Sequence, residues 1–144
     1  MSTLHRRALL SALLAAGVTP AWAQAPEFAV GQVWSVRNLS GGLATIGRIE
    51  PYARGTAIHI SLTADTPLQL QGQLGPTMQI SHLPVASEAF ARSVETLQQT
   101  GGTPDPHFED GYAQWRAAQG GVWTVDIAEI YASVTSLTPA APSK

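Results

Sequence analysis

The stretch Thr56-Ala-Ile-His-Ile-Ser-Leu-Thr63 alternates apolar side chains with small or polar ones. Ile58, Ile60 and Leu62 share one parity, and His59 lies on the other. Strict alternation is typical of a strand with one face against a hydrophobic core and one face toward solvent. The stretch therefore predicts the middle strand of a sheet, with His59 off the main core.

Four further strands are predicted on either side of this one, over residues 28–37, 43–50, 68–74 and 77–82. Asn38 to Gly42 supplies turn residues between the first two, because glycine accepts a positive φ without steric cost. Gly47 lies inside a strand, which indicates a bulge or a close backbone approach. Short connections throughout favour an antiparallel β-meander of about five strands.

After the last predicted strand, the apolar residues recur at the spacing of a helix. A first helix is predicted from Pro84 to about Leu97, and a second begins at Asp105-Pro106 and carries an aromatic stripe. Gly111 lies inside the second helix, where it weakens helix formation, so we expect a packing reason for it. A third helix is predicted over residues 125–133. The fold class is therefore α+β, with two or three helices packed on one face of the sheet.

The first residues fit an export signal. Arg6 and Arg7 precede an apolar stretch, Pro20 breaks it, and Ala21-Trp-Ala23 fits a cleavage site. We predict a signal peptide over residues 1–23, one domain over residues 24–137 and a disordered tail over residues 138–144. Adjacent arginines fit both an ordinary signal and a twin-arginine signal, so the route stays open. The predicted location is the periplasm or the outside of the cell.

Charge and composition narrow the classes of partner. Residues 1–23 hold two of the eight basic residues and none of the ten acidic ones, which leaves six basic and ten acidic residues and a net charge of −4. An acidic chain without a Lys/Arg cluster is not expected to bind nucleic acid. No later run approaches the roughly 20 apolar residues that span a membrane, so no stable insertion is expected after cleavage. Cysteine is absent, so stability must come from packing.

Few residues suggest catalytic chemistry. The histidines after the signal are His59, His82 and His107, and no two of them have the spacing of a metal site, so we predict no metal and no cofactor. The chain has no Gly-x-Ser-x-Gly motif and no cysteine nucleophile. The sequence therefore assigns no catalytic residue and leaves His59, His82 and Arg116 as candidates.

The aromatic residues are candidates for binding. Trp34 and Trp115 lie on predicted core faces, whereas Trp123 lies in a glycine-containing loop between two helices. A large aromatic side chain there is either a plug that closes the sheet or an exposed anchor for a partner. Tyr112, Trp115 and Trp123 are the candidate residues for binding a ligand or partner.

Several short strings together resemble a group of small exported bacterial domains of unknown function. The strings are Gly31-Gln-Val-Trp34 with Arg37, Ile58-His-Ile60, His82-Leu-Pro84, Ser93-Val94, Gly111-Tyr112, Trp115-Arg116 and Gly121-Val-Trp-Thr124. The group carries no assigned activity, so the resemblance implies a single compact domain and no ligand. It implies that the first positions to test are His59, His82, Tyr112, Trp115 and Arg116.

A non-enzymatic binding, inhibitor or accessory module is the function that the sequence favours, with a periplasmic protein or a small molecule as its partner. The chain is small and acidic, and Gln69, Gln71 and Gln73 line one strand face that suits hydrogen bonding to a partner. An alternative is a small-ligand carrier whose pocket lies between sheet and helices. Trp34, Met78 and Trp115 would line that pocket.

The other alternative is a small hydrolase or lyase with His82 or His59 as general base. This alternative predicts that two of a set of four side chains converge in one cleft. The four are His59, His82, Glu50 and Arg116.

Overall fold

The computed structural model describes residues 27–66 and 77–136. In these residues the elements are β1 (Val33–Val36), β2 (Leu43–Tyr52), β3 (Gly55–Ala64), β4 (Met78–Ala86), α1 (Ser87–Ser93), β5 (Val94–Gln99), α2 (Phe108–Ala117) and α3 (Ile127–Ser136). The strands form one antiparallel sheet of order β4-β3-β2-β1-β5. An α+β fold with a five-stranded antiparallel sheet is therefore confirmed. The predicted signal peptide, the predicted strand over residues 68–74 and the predicted tail lie outside the described residues.

Strand β3 follows the predicted alternation. Ile58, Ile60 and Leu62 are each at most 1% exposed and belong to the main hydrophobic core. The strand pairs with β2 on one side and β4 on the other. No helix within residues 27–66 and 77–136 is long and apolar enough to cross a membrane.

The region after His82 differs from its prediction. Instead of one helix from Pro84 to Leu97, β4 continues to Ala86, α1 spans seven residues, and the chain becomes extended again in β5. Val94 is buried opposite Val36 of β1, where a β-branched side chain packs well in a ladder. Strand β5 thus crosses from β4 to the far edge of the sheet, and the meander prediction fails for this strand.

The helices lie on both faces of the sheet, so the prediction of one covered face does not hold. Phe90 of α1 and Ile127 and Ile130 of α3 belong to the same core cluster as Ile58. Helix α2 lies on the opposite face, because a Cβ added to Gly47 would be 2.4 Å from the Phe108 ring and the core cluster includes no α2 residue. Strand β3 buries side chains on this second face as well, because Ala57, His59 and Ser61 are all at most 5% exposed. A helix is therefore needed on each face of the sheet.

Two register shifts turn further side chains toward α2. One lies between Ile46 and Arg48 in the β2–β3 ladder, and the other lies opposite Ile60 to Leu62 in the β3–β4 ladder. A bulge adds one residue to one strand and so reverses which side chains face each side. The first shift places Arg48 opposite His59, on the face away from the core residue Ile46. Gly47 was predicted to mark a bulge or a close backbone approach, and it lies at the register shift and directly against the Phe108 ring.

Candidate functional site

A cluster of polar and aromatic side chains lies between α2 and the sheet. Its centre is a row of three residues, Glu50 of β2, His59 of β3 and His82 of β4, which we call the relay. Tyr112 and Arg116 of α2 join the relay through hydrogen bonds. The structure therefore brings together all four residues of the set from which the enzyme alternative required two to converge.

His59 is the middle member of the relay and is 0% exposed. Its Nδ1 lies 2.8 Å from Nε2 of His82, a hydrogen-bond distance, and the two rings are nearly parallel at 18°. Its Nε2 lies 3.2 Å from Oε1 of Glu50. The second contact is short but poorly aligned, so Nε2 is a buried polar atom without a satisfied hydrogen bond among the described residues.

The carboxylate of Glu50 selects the tautomers of both histidines. A lone pair on His59 Nε2 would face the negative oxygen at 3.2 Å, so electrostatics favour a proton on that nitrogen. Nδ1 of His59 then accepts, and Nε2 of His82 donates across the 2.8 Å contact. In this arrangement the remaining nitrogen of His82, Nδ1, carries a lone pair. His82 is partly exposed, in contrast to His59.

Aromatic rings from α2 surround the two imidazoles. The rings of Trp115 and Tyr112 lie edge-on to His59, at centroid distances of 4.6 and 5.1 Å, and Phe108 lies 5.5 Å from His82. Nε1 of Trp115 donates to the carbonyl of Gly121 at 2.9 Å, which fixes the indole. The aromatic stripe of α2 thus covers the relay rather than the main core.

Removal of water from this cluster lowers the pKa of both histidines. Burial lowers the pKa of His59 and outweighs the opposing effect of Glu50. Burial, followed by the charge of His59, lowers the pKa of His82 from 6.5 to about 4. Both imidazoles are therefore neutral at pH 7, as the proposed tautomers require.

The other part of the cluster, outside the relay, is centred on Tyr112. Its hydroxyl donates to Oε2 of Glu50 at 2.7 Å and accepts from Nη1 of Arg116 at 3.0 Å. The guanidinium carbon of Arg48 lies 4.1 Å from the centre of the Tyr112 ring, a cation–π contact. Nη2 of Arg48 also lies 3.3 Å from a carboxylate oxygen of Glu109. Arg116 therefore binds Tyr112 of its own helix, and no carboxylate of the described residues forms an ion pair with it.

The arrangement does not suit a metal ion held by the whole relay. Glu50 and His82 contact opposite nitrogens of His59, so the three side chains do not point at a common centre. Within the described parts of the chain, no group of three or more His, Cys, Asp and Glu residues could hold an ion. The relay suits proton transfer instead.

Trp123 lies away from the relay. Its side chain is 41% exposed, while its backbone forms a parallel bridge with β4, donating to the carbonyl of Pro84 at 2.9 Å. An open hollow of about 280 Å³ is lined by Gly121, Val122 and Trp123. Trp123 therefore covers the edge of the sheet with its backbone rather than closing the core with its ring.

A second hollow, of about 270 Å³, lies at the start of α3 and is also separate from the relay. Its lining includes Arg37 and Arg92, which pair with Glu95 and Asp126 at 3.4 and 3.2 Å. Trp34 packs against the main core, on the face opposite Trp115. The carrier pocket expected between Trp34 and Trp115 is therefore not formed by these two residues.

The sequence identified most of the cluster but missed Arg48. His59, His82, Tyr112, Trp115 and Arg116 were all candidates and all lie in it. Arg48 shares the parity of the core residue Ile46, and only a bulge at Gly47 turns it to the other face. The feature of the sequence that indicated this change of face was Gly47 inside the predicted strand.

No family model, curated protein or solved structure matches the chain.

Proposed function

We propose that this protein is a small exported enzyme, a hydrolase or lyase, in which His82 acts as the general base. The observation that carries the proposal is the row Glu50, His59 and His82, joined by contacts of 3.2 and 2.8 Å. A carboxylate that orients one imidazole, which in turn orients another, is the same principle by which a carboxylate orients the histidine of a catalytic triad.

His82 would act through Nδ1, the nitrogen that the favoured tautomer leaves unprotonated. This nitrogen takes a proton from water or from a substrate, and His82 becomes positively charged. Its Nε2–H already donates to His59, whose Nε2 lies 3.2 Å from the Glu50 carboxylate. The carboxylate acts favourably on the new charge, while burial opposes it and keeps the pKa of His82 at about 4. A positioned base of this kind typically contributes about 10²- to 10⁴-fold to a rate.

The depressed pKa of His82 supports the base form. With a pKa of about 4, the imidazole is unprotonated throughout the neutral range. The positively charged form is disfavoured by burial, and the Glu50 carboxylate at the far end of the relay partly offsets that cost. His82 can therefore accept a proton without first having to lose one.

Nitrogen-15 NMR of the imidazoles tests the proposal directly. We expect His82 to be neutral at pH 7 with its proton on Nε2, and Glu50→Gln to weaken that preference. Diethyl pyrocarbonate, which modifies neutral accessible imidazoles, should acylate His82 but not His59, with the exposed His107 as an internal standard. A proton on Nδ1 of His82, or a His82 ring that the reagent cannot reach, would falsify the proposal.

A substrate panel then defines the reaction. Chromogenic carboxylic and phosphoric esters and β-elimination substrates are assayed at pH 7 with the wild-type protein. A turnover that depends on the relay falls by two orders of magnitude or more in His82→Gln, following the usual contribution of a general base. The matched control His107→Gln removes an exposed histidine outside the relay and should keep full activity.

Partner binding is the second candidate function, and one observation favours it. Trp123 and Val125 are each 41% exposed and lie two residues apart in the segment before α3. Exposed aromatic side chains are common anchors of protein interfaces. Native mass spectrometry of the protein purified from its own periplasm tests this role, and a complex that Trp123→Ala abolishes would support it.

A further inference from the structure

We propose that Arg48 and Arg116 form a binding site for an oxyanion, the carboxylate or phosphate group of a small ligand, on the outer side of Tyr112. This inference rests on the proposed function, because it assigns the bound anion to the substrate of His82.

The geometry places both guanidinium groups against one side chain. Arg116 donates from Nη1 to the Tyr112 hydroxyl at 3.0 Å, and the Arg48 guanidinium carbon lies 4.1 Å from the centre of the same ring. Tyr112 itself is held by its 2.7 Å bond to Glu50. The two cations therefore have a common support in Tyr112, and the proposed site places one anion against both of them.

The carboxylates around these two arginines do not occupy all of their N–H donors, so some of these donors face solvent. Arg116 is exposed, and no carboxylate of residues 27–66 or 77–136 forms an ion pair with it. Arg48 pairs with Glu109, but that carboxylate is 69% exposed, and ion pairs at such positions are weak. The planar fork of an arginine suits a carboxylate or phosphate better than any other partner.

The Glu50 carboxylate, which binds Tyr112 from the side of the relay, does not neutralise the two arginines from outside. Glu50 is only 22% exposed, and its two oxygens face His59 and the Tyr112 hydroxyl. In addition, Nε of Arg48 is buried without a hydrogen-bond partner among the described residues. In the described parts of the chain, Glu109 is therefore the one exposed carboxylate that forms an ion pair with either arginine.

The proposed anion site lies next to the relay. The Tyr112 ring is 5.1 Å from the His59 ring and 5.9 Å from the His82 ring. An anionic group bound above Tyr112 is therefore about one aromatic ring away from the imidazoles. A small substrate with an acidic group at one end would place its other end at His82.

Titration with inorganic phosphate and with malonate, at constant ionic strength and pH 7, tests the site. The side-chain N–H resonances of Arg48 and Arg116 are followed by NMR in the intact protein. We expect saturable shifts at both residues, and binding about tenfold weaker in Arg116→Gln, the usual effect of losing a charged hydrogen bond. Arg54→Gln, which removes an exposed arginine in the β2–β3 turn, should bind as the wild type does.

Two results would overturn the inference. The first is the absence of a saturable shift at either arginine. The second is an equal loss of binding in Arg54→Gln and Arg116→Gln, which would mean that the anion senses only the overall charge. The tautomer of His82 is measured in the same samples. A correct tautomer without anion binding removes this inference alone, whereas anion binding with the wrong tautomer removes the proposed function and with it the assignment of the anion to a substrate of His82.

Discussion

Gly111 is the residue that allows α2 to lie directly on the relay. A Cβ at this position would be 2.6 Å from the Cβ of His82, which is too close and is next to the rigid backbone of β4. Alanine would gain about 1 kcal/mol in helix propensity, but overpacking at a fixed contact costs about 1–3 kcal/mol. We expect Gly111→Ala to lower the free energy of unfolding by up to about 2 kcal/mol, measured by urea denaturation.

Gly121→Ala is the matched control for that substitution. A Cβ at Gly121 would meet no atom within 4 Å. The free energy of unfolding should therefore change by less than about 0.5 kcal/mol. A Gly111→Ala protein that is more stable than the wild type would show that α2 and β4 are not in firm contact.

His82 gives the protein a predictable dependence of stability on pH. Its pKa is about 4 in the folded protein and 6.5 in the unfolded chain, so the unfolded state binds its proton first as the pH falls. The stability contributed by neutral His82 is complete above pH 6.5 and is lost between pH 6.5 and pH 4. The loss is at most about 3 kcal/mol.

The measurement compares wild type with His82→Gln by urea denaturation from pH 7 to pH 4. Other groups titrate in both proteins, so the difference between the two curves isolates His82. We expect the stability of the wild type to fall more steeply, and His107→Gln to follow the wild type. Parallel curves for wild type and His82→Gln would contradict the prediction.

At the residue level, the sequence predicts which side chains matter better than it predicts their surroundings. The alternation in β3 places His59 on the face away from Ile58, and this is confirmed. The same alternation put His59 on the face that an amphipathic strand usually turns to solvent, yet the residue is 0% exposed. The difference arises because burial on that face depends on where α2 packs, and the local pattern of β3 contains no information about α2.

At the level of elements, tertiary pairing overrode helical spacing between Pro84 and Leu97. Phe90, Val94 and Leu97 lie at helical intervals, but only the part up to Ser93 is helical. Val94 instead pairs with Val36, and Arg37 binds the carbonyl oxygens of Arg92 and Val94. The partner strand is more than fifty residues earlier in the chain, so a local period could not reveal the pairing.

The attachment of α2 to the sheet depends on the Tyr112 hydroxyl. That group satisfies Glu50, which is only 22% exposed, and it accepts a hydrogen bond from Arg116. Tyr112→Phe removes both bonds and leaves the carboxylate short of a donor. We expect the free energy of unfolding to fall by about 1–2 kcal/mol, measured by thermal and urea denaturation.

Arg116→Gln serves as the comparison for this substitution. Arg116 is exposed, and its side chain can be solvated once the bond to Tyr112 is lost. The expected loss of stability is therefore below about 1 kcal/mol. If Arg116→Gln costs more than Tyr112→Phe, the hydroxyl does not hold Glu50 in the way described.

On the scale of the whole molecule, the sheet has two differently built faces. One face meets α1 and α3 through an apolar cluster that includes Phe90, Ile127 and Ile130. The other meets α2 through the relay and its aromatic neighbours. The order of strands and helices in the sequence predicts an α+β fold but does not say which face each helix covers, because both faces of β3 are buried.

This division predicts that α2 opens independently of the rest of the protein. The hydrophobic core cluster contains residues from all five strands of the described sheet and from α1 and α3, and none from α2. Regions with few apolar contacts open at a lower free energy than the core. In native-state hydrogen exchange at pH 7, we expect the amides of α2 to exchange through a smaller opening free energy than those of β3, which should require global unfolding.

Acid should widen that difference, because protonation of His82 disfavours the cluster that holds α2 in place. After correction for the intrinsic exchange rate, protection of α2 should fall between pH 7 and pH 4.5 more than protection of β3 does. His82→Gln should remove this extra pH dependence, and His107→Gln should retain it. If α2 and β3 show equal opening free energies at both pH values, the two faces form one cooperative unit and the relay does not control α2 separately.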